Sequence, residues 1–145
     1  MACENKCSTS TAYALISYVT AYLKHHFPAE FYASLMSLEA NKSSTESNLH
    51  EYITDCYQKN IEILPPNINE SKYDFNVVDG KIRFGLNSIK GLGDAAIENI
   101  IENQPYKSLN DFYKTVERRV VNKTAVEALI KSGAFDNFKK NRKEL

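Results

Sequence analysis

The segment with the clearest chemical potential is Lys90-Gly91-Leu92-Gly93, which Asp94 and a run of apolar residues at helical spacing follow. Glycine at both ends of a tight turn lets the backbone adopt positive φ and approach another molecule closely. The helix that follows points its first N–H groups back at the turn, and its dipole makes that end positive. With the charge of Lys90 added, these features are typical of a phosphate site, although an ordinary tight turn between packed helices is the alternative.

The residue types around this turn have the order of a helix-hairpin-helix, a motif that holds the sugar-phosphate backbone without reading base sequence. Ala95 and Ala96 are small and allow a neighbouring helix to pack closely. A degenerate second copy is predicted at residues 121–136, where a plain amphipathic helix with solvent-facing lysines is the alternative. The predicted DNA contacts are Lys90, Gly91, Leu92, Gly93, Asp94, Lys123 and Lys131.

Composition limits these interpretations. The chain has 145 residues, enough for one domain or two small subdomains, and its 43% of hydrophobic residues can supply a core. The formal net charge is zero, but residues 114–145 carry nine Lys/Arg against four Asp/Glu, which favours contact with phosphates or an acidic partner. No apolar run approaches about 18 residues, and the polar N-terminus does not resemble a secretory signal. We therefore expect a cytoplasmic protein without a membrane segment.

No metal site or catalytic set can be nominated from the sequence. Cys3, Cys7 and Cys56 are expected to be reduced thiols, because no second ligand pair or histidine cluster lies at zinc spacing from them. The histidines, at positions 25, 26 and 50, form no nucleophile–base pattern, and the acidic residues are scattered. The expectation is a protein with no cofactor, no metal and no catalytic activity of its own.

Helical periodicity dominates the chain and predicts a mainly α fold. Helices are predicted over about residues 11–25, 29–40, 45–59, 95–102 and 123–132, with a further one opening at YKSLNDFY and capped by Ser108 or Asn110. The dipeptide Asp79-Gly80 between two alternating runs predicts a β-hairpin, and Pro65-Pro66 predicts extended backbone before it.

Three local predictions concern the N-terminal helices. The first helix has candidate N-caps at residues 8–10, and the third has capping-box spacing at Ser43 and Glu46. The apolar side of the second helix is predicted to be Phe31, Leu35 and Leu38. The apolar face of the third is predicted to be Leu49, Tyr52, Ile53, Cys56 and Tyr57.

Four segments of the chain, in order, resemble the alpha subunit of bacterial DNA polymerase III, a C-family replicative polymerase. They are AYALISYVTAYLKHHFPAEFYASLM, ILPPNINES, DGKIRFGLNSIKGLGDAAIENII and VNKTAVEALIKSGAFD, and they extend from about residue 12 to 136. The resemblance implies a bacterial or phage protein with four parts. These are a distal-fingers-like helical part at 1–62, a proline-bearing junction and hairpin at 63–87, a tandem helix-hairpin-helix at 88–138, and a basic tail at 139–145.

The resemblance also implies that this segment does not polymerise DNA. The family's catalytic carboxylates bind two Mg²⁺ in a palm domain that would precede this sequence, and they have no counterpart here. The family carries Asn-Lys-Ser-His before the AYA motif, facing the incoming nucleotide. Here Cys7 and Thr9 occupy the lysine and histidine positions, and Lys6 reaches the site only by a one-residue shift. The nucleotide-binding positions Lys6 and Thr9 are therefore eroded.

Two functions remain as hypotheses. The first is a non-catalytic piece of a polymerase alpha subunit that binds the duplex DNA backbone non-specifically through its helix-hairpin-helix. The alternative is a protein-interaction module, or a mimic, that engages other replisome proteins.

Overall fold

The structure is a computed structural model that describes residues 4–40, 42 and 48–138, with side chains from residue 9 onward. It is mainly helical with a small β-sheet, as predicted. The helices in chain order are α1 (Glu4–His26), α2 (Pro28–Ala40), α3 (Leu49–Gln58), α4 (Asp94–Glu102), α5 (Leu109–Thr115) and α6 (Lys123–Ser132). Short 3₁₀ turns at Leu86–Ser88 and Asp136–Phe138 complete the described elements.

The sheet has three strands in the order β1-β3-β2, where β1 is Ile63–Leu64, β2 is Asn76–Val78 and β3 is Lys81–Arg83. The hairpin of β2 and β3 turns through two residues of positive φ, 52° at Asp79 and 75° at Gly80. This is the backbone of a type I′ turn, as the Asp-Gly dipeptide predicts. The sequence did not predict β1, which pairs in parallel with β3. A two-residue strand has no periodicity of its own, and only its distant partner defines it.

Two hydrophobic clusters organise the described chain. The first joins α2, α3 and the sheet through buried residues that include Tyr32, Met36, Cys56, Phe75 and Ile82. The second joins the 3₁₀ turn at Leu86–Ser88 with α4, α5 and α6 through residues that include Leu86, Ile97, Phe112, Leu129 and Phe135. The segment from residue 61 to 86 supplies side chains to both clusters, so the two are continuous along the chain.

A buried polar turn at residues 67–71 lies between these clusters. The Ser71 hydroxyl accepts from the Asn67 amide at 2.9 Å and donates to the Phe84 carbonyl at 2.7 Å. The Asn69 side chain pairs with the backbone of Tyr106, donating at 2.9 Å and accepting at 2.8 Å. Because Asn67 and Ser71 are buried, these bonds satisfy groups that water cannot reach. The PPNINES segment therefore fixes the helical C-terminal part to the sheet.

Several local predictions for α1 to α3 are wrong. The proposed caps at residues 8–10 lie inside α1, which begins at Glu4. Of the predicted apolar side of α2, Phe31 and Leu35 pack partly buried against the first cluster as expected, but Leu38 is 66% exposed. The fully buried apolar residues include Tyr32 and Met36, which were not predicted. On α3, Cys56 is buried and the other predicted residues pack against the first cluster, except Tyr57, which is 63% exposed. The elements that pack against α2 and α3 fix the rotation of each helix about its axis. The apolar pattern of the sequence does not fix it, because that pattern is compatible with more than one buried face. The capping box at Ser43 and Glu46 lies outside the described residues.

The helix α1 is exposed over its whole described side-chain length. Its large apolar residues from Tyr13 to Leu23 are between 42% and 68% exposed, and Phe27 after it is 51% exposed. A soluble helix normally buries such residues against a neighbour. Within the described residues, α1 has no neighbour that covers this surface. The structure also contains no described helix with the length and apolar character needed to cross a membrane.

Candidate nucleic-acid interface

The Gly-Leu-Gly turn (residues 91–93) follows the 3₁₀ turn and leads into α4. The Leu92 amide donates to the Ile89 carbonyl at 3.2 Å, and Gly91 has φ of 94°. An i-to-i+3 bond with positive φ at the third residue is the signature of a type II turn, which requires glycine there. Leu92 is buried in the second cluster, so its side chain anchors the turn and only its backbone faces outward.

Gly93 is the N-cap of α4 and supplies no side-chain cap. Its carbonyl accepts the first helical bonds, from Ala96 at 2.9 Å and Ile97 at 3.0 Å. The amides of Gly93, Asp94 and Ala95 have no acceptor among the described residues, and all three residues are exposed. Leu92 and Ile97 are both buried in one cluster, the spacing of a hydrophobic staple that fixes the entry of the helix. The open end of α4 therefore presents N–H donors to solvent.

Asp94 places a carboxylate in the first turn of the same helix. Its Oδ1 accepts a hydrogen bond of 2.6 Å from the Tyr73 hydroxyl. This bond and the negative charge of Asp94 favour the neutral phenol, so the pKa of Tyr73 is raised. Asp94 is one of the predicted DNA contacts. Its backbone amide can donate to a phosphate, but its negative carboxylate repels an anion at the same place.

The helix α6 packs against the outside of the Gly-Leu-Gly turn. A β-carbon built on Gly91 would lie 3.6 Å from Ala128 Cβ and 3.9 Å from Thr124 Cγ2. Lys131 follows Ala128 by three residues and therefore shares its helix face. This contact brings Lys131 and Lys90 to one cleft of about 580 Å³. Two of the predicted contacts that are distant in sequence are thus neighbours in the fold.

Lys123 lies apart from this pair. It is 92% exposed at the start of α6, about 12 Å along the helix axis from Lys131, and it has a loose 3.9 Å ion pair with Glu127. It lines a different cleft of about 300 Å³ together with Arg118. The predicted lysines therefore occupy two places on the surface.

We call the 3₁₀ turn, the Gly-Leu-Gly turn and α4 the first hairpin, and α5 and α6 the second hairpin. Their N-caps occupy corresponding positions, but the capping side chains differ. Val121 is buried before the N-cap Asn122, as Leu92 is before Gly93, but the Asn122 side chain accepts from the Ala125 amide at 2.9 Å. The equivalent amide of α4, that of Ala96, bonds instead to the Gly93 carbonyl at 2.9 Å, so the two helices differ in how this amide is satisfied. Gly133 ends the helix with φ of 84°, as predicted.

Sequence reasoning missed one residue in this second hairpin. Lys90 precedes its N-cap by three residues, and the residue three before Asn122 is Arg119, which is exposed. Arg119 is thus the positional counterpart of Lys90, while Lys123 and Lys131 lie inside the helix. Counting back three residues from Asn122 would have identified it, because the sequence already predicted a helix that begins near residue 123.

The remaining predicted residues carry less information. Thr9 lies on α1 and is exposed, and Lys6 lies on the same helix with a side chain outside the described set. Cys56 is a free, buried thiol, and Cys3 and Cys7 lie where no side chain is described. Within the described parts of the chain, no group of three His, Cys, Asp or Glu residues could hold a metal ion.

Comparison with known families decides what this architecture is. The family model described as helix-hairpin-helix motif matches residues 60–145, which include both hairpins and the sheet. The chain belongs to the helix-hairpin-helix motif family.

Relatives that match at least about nine-tenths of the chain are alpha subunits of DNA polymerase III, as the sequence resemblance indicated. The chain is 45% identical to DNA polymerase III subunit alpha of Thermus aquaticus over 135 residues, or 90% of this chain and 11% of that protein. The corresponding subunit of Aquifex aeolicus (strain VF5) is 44% identical over 143 residues, 95% of this chain and 12% of that protein. The chain therefore spans about a tenth of the length of the curated relatives that it matches.

Proposed function

We propose that this helix-hairpin-helix protein holds duplex DNA by its phosphate backbone, without base specificity and without catalysing a reaction. The observation that carries the proposal is the open N-terminus of α4, where Gly93 leaves exposed amides beside Lys90. An oriented set of N–H groups with a nearby lysine binds a phosphate by hydrogen bonds and by charge. The similarity to polymerase alpha subunits supports the same ligand.

We assign the contacts by their position. The amides of Gly93, Asp94 and Ala95 receive one phosphate, with Lys90 beside it, and Gly91 and Leu92 shape the turn. Arg119 and Lys123 of the second hairpin and Lys131 of α6 supply further positive charge for the DNA backbone. The family-based division into parts at 1–62, 63–87, 88–138 and 139–145 belongs to the same proposal, as does the nucleotide-facing role, now eroded, of Lys6 and Thr9.

The test is fluorescence anisotropy of a labelled primer-template duplex at several salt concentrations. We expect affinity to fall as salt rises, with a slope of about −0.9 for each neutralised phosphate, and duplex to bind better than single strand. Replacing Lys90 with Gln should weaken binding and reduce the salt slope by about one. Absence of duplex binding at low salt would overturn the proposal.

A matched pair at Gly93 separates DNA binding from folding. Gly93 has φ of −87°, and a β-carbon there would meet nothing within 4 Å, so the fold accepts a side chain. Gly93→Asp and Gly93→Asn both cap α4, but only aspartate adds a negative charge at the proposed phosphate site. We expect Gly93→Asp to bind DNA at least about tenfold more weakly than Gly93→Asn, with both variants folded. Equal binding by the pair would contradict the site.

A second candidate function is favoured by α1. Tyr13, Leu15, Ile16 and Tyr18 are each more than 60% exposed, and patches of this kind mark protein interfaces. On this hypothesis, the chain docks through α1 on a replication protein such as a polymerase alpha subunit. A purified bacterial DNA polymerase III alpha subunit should bind the chain, and the double variant Leu15→Glu/Ile16→Glu should not bind. An unaltered affinity in that variant would remove α1 from the interface.

A further inference from the structure

The cleft that Lys90 and Lys131 share extends along the sheet edge, and we call it the β1–α6 cleft. Its apolar lining comes mainly from the β1 region and from Phe84 after β3. Its charged groups are Lys90, which precedes the Gly-Leu-Gly turn, and Lys131 of α6. The described lining includes Leu64, Pro66, Phe84, Ala128, Lys90 and Lys131. Its volume of about 580 Å³ is that of a small-ligand or peptide site.

The charge of the cleft has one sign. None of the described residues that line it is acidic, and its positive groups are Lys90 and Lys131. Neither lysine has an acidic partner within 4 Å among the described residues. The two lining serines already donate within the chain, Ser88 to Gly85 at 2.7 Å and Ser132 to Leu129 at 2.9 Å. The two lysines are thus the charged donors for a bound carboxylate or phosphate.

The wall of the cleft includes an unpaired strand edge. Because the strand order is β1-β3-β2, β1 pairs on one side only. The carbonyls of Glu62 and Leu64 accept from Ile82 at 2.9 Å and Phe84 at 3.1 Å, so these groups of β1 face β3. Hydrogen-bonding groups alternate in direction along a parallel strand, so the N–H and C=O of Ile63 point away from β3. They are available to a further strand.

We propose that the β1–α6 cleft binds a short extended peptide in which apolar residues alternate with carboxylates. Its backbone pairs with Ile63, its apolar side chains enter the lined cleft, and its carboxylates meet Lys90 and Lys131. Pro65 and Pro66 have no N–H, so the added strand is limited to a few residues. Strand addition beside a pocket is an established mode of peptide recognition, and a strand edge favours a polypeptide over a nucleic acid.

The experiment uses the full chain and a fluorescein-labelled six-residue peptide of alternating leucine and aspartate, measured by fluorescence polarisation. A peptide with lysine in place of aspartate is the control ligand. We expect the acidic peptide to bind at least about tenfold more tightly than the basic one, since the cleft carries two positive charges. Equal affinity of the two peptides, or no binding of the acidic peptide at millimolar concentration, would overturn the proposal.

Two variants locate the binding site. Lys131→Glu should lower the affinity for the acidic peptide by at least about tenfold. Lys107→Glu, which reverses an exposed charge outside the cleft, should leave that affinity unchanged. Ile63→Pro removes the outward N–H, a change that an edge strand tolerates, and should also weaken binding. In an amide NMR spectrum, Ile63 should be among the residues that the peptide shifts most. No effect of Lys131→Glu and Ile63→Pro on the affinity would place the peptide elsewhere and overturn the proposal.

The peptide proposal and the DNA proposal share Lys90 and Lys131 but have different outcomes. A chain that binds the peptide and not the duplex would keep the cleft assignment and overturn the proposed function. A chain that binds only the duplex would keep the proposed function and overturn the peptide assignment. A third outcome is that single-stranded oligothymidylate displaces the acidic peptide and binds the Lys131→Glu variant more weakly than the unmodified chain. The cleft would then be a nucleic-acid site, and the peptide assignment would be wrong.

Discussion

The Tyr73 hydroxyl donates a 2.6 Å hydrogen bond to the Asp94 carboxylate, across 21 residues of sequence. This bond connects the first turn of α4 to Tyr73, which precedes the β2–β3 hairpin. It also keeps a negative charge at the helix end where we propose that a phosphate binds. The interaction with the helix dipole stabilises the fold there, and the charge opposes DNA binding.

Removing that charge is therefore expected to strengthen DNA binding. Asp94→Asn keeps an acceptor for Tyr73 but loses the carboxylate charge, and we expect affinity for duplex DNA to rise about three- to tenfold at low salt. Fluorescence anisotropy measures the change, and the gain should shrink as salt is added. Tyr73→Phe, which leaves the charge in place, is the control. A decrease in the affinity of Asp94→Asn would show that the carboxylate contributes to binding.

The left-handed backbone of Gly91 makes substitution there a test of folding. Gly91 has φ of 94°, and an added methyl group would lie 3.6 Å from Ala128 Cβ. Gly91→Ala should therefore lower the free energy of unfolding by about 1–2 kcal/mol. Gly93→Ala, at a negative φ and in open space, should cost less. Urea unfolding followed by circular dichroism compares the two variants. Equal stability would mean that the turn relaxes.

The junction should be sensitive to a one-atom change at Asn69. Its amide both donates to and accepts from the backbone of Tyr106. In Asn69→Asp the carboxylate has no hydrogen to donate and faces the Tyr106 carbonyl, so we expect a loss of about 1–3 kcal/mol in stability at pH 7. The loss should decrease as the pH is lowered and the carboxyl becomes protonated. Asn110→Asp, at an exposed position of α5, is the surface comparison and should cost less stability.

Stability should decline at high pH, and Tyr106 should account for part of the decline. The residue is 3% exposed, and its hydroxyl donates to the Ile100 carbonyl at 2.9 Å. Burial, with a smaller contribution from Asp111, raises the pKa of Tyr106 to about 12, against about 10 in an unfolded chain.

The sign follows from proton binding. Above about pH 10 the unfolded chain loses the phenol proton while the folded state keeps it, so stability falls until the folded pKa is passed. The buried Cys56 thiol acts in the same direction, with a pKa raised to about 11 by burial. Tyr106→Phe should lose about 1 kcal/mol at pH 7 and show a shallower decline above pH 10. Urea titrations at several pH values measure both effects. An unchanged slope in the variant would mean that Tyr106 does not contribute.

The second hairpin offers a test of positional equivalence. If Arg119 corresponds to Lys90, then Arg119→Gln should reduce the salt slope of duplex binding by about one, as Lys90→Gln does. Lys114→Gln, an exposed charge on α5, is the matched control and should change the slope less. An effect of Lys114 as large as that of Arg119 would indicate a diffuse charge effect and no defined contact.

The sequence by itself determined the local features of this protein. Asp79-Gly80 specifies the hairpin turn because only a few residues accept two successive positive φ values. Ser108 caps α5, with its hydroxyl 3.2 Å from the Asp111 amide, and Gly133 ends α6, as their types and positions predict. The Gly-Leu-Gly turn and the motif order were also readable, because glycine requirements and hydrophobic spacing act over a few residues.

Tertiary structure alone decided what depends on distant partners. The rotation of α2, the exposure of Tyr57 and the existence of β1 follow from which surfaces meet, and a local pattern does not contain that information. The meeting of Lys90 with Lys131 depends on α6 packing against Gly91, where the absence of a side chain permits close approach. The exposure of α1 also depends on distant partners. Its apolar residues at helical spacing predict a buried face, and only the assembled fold shows that no described element covers that face.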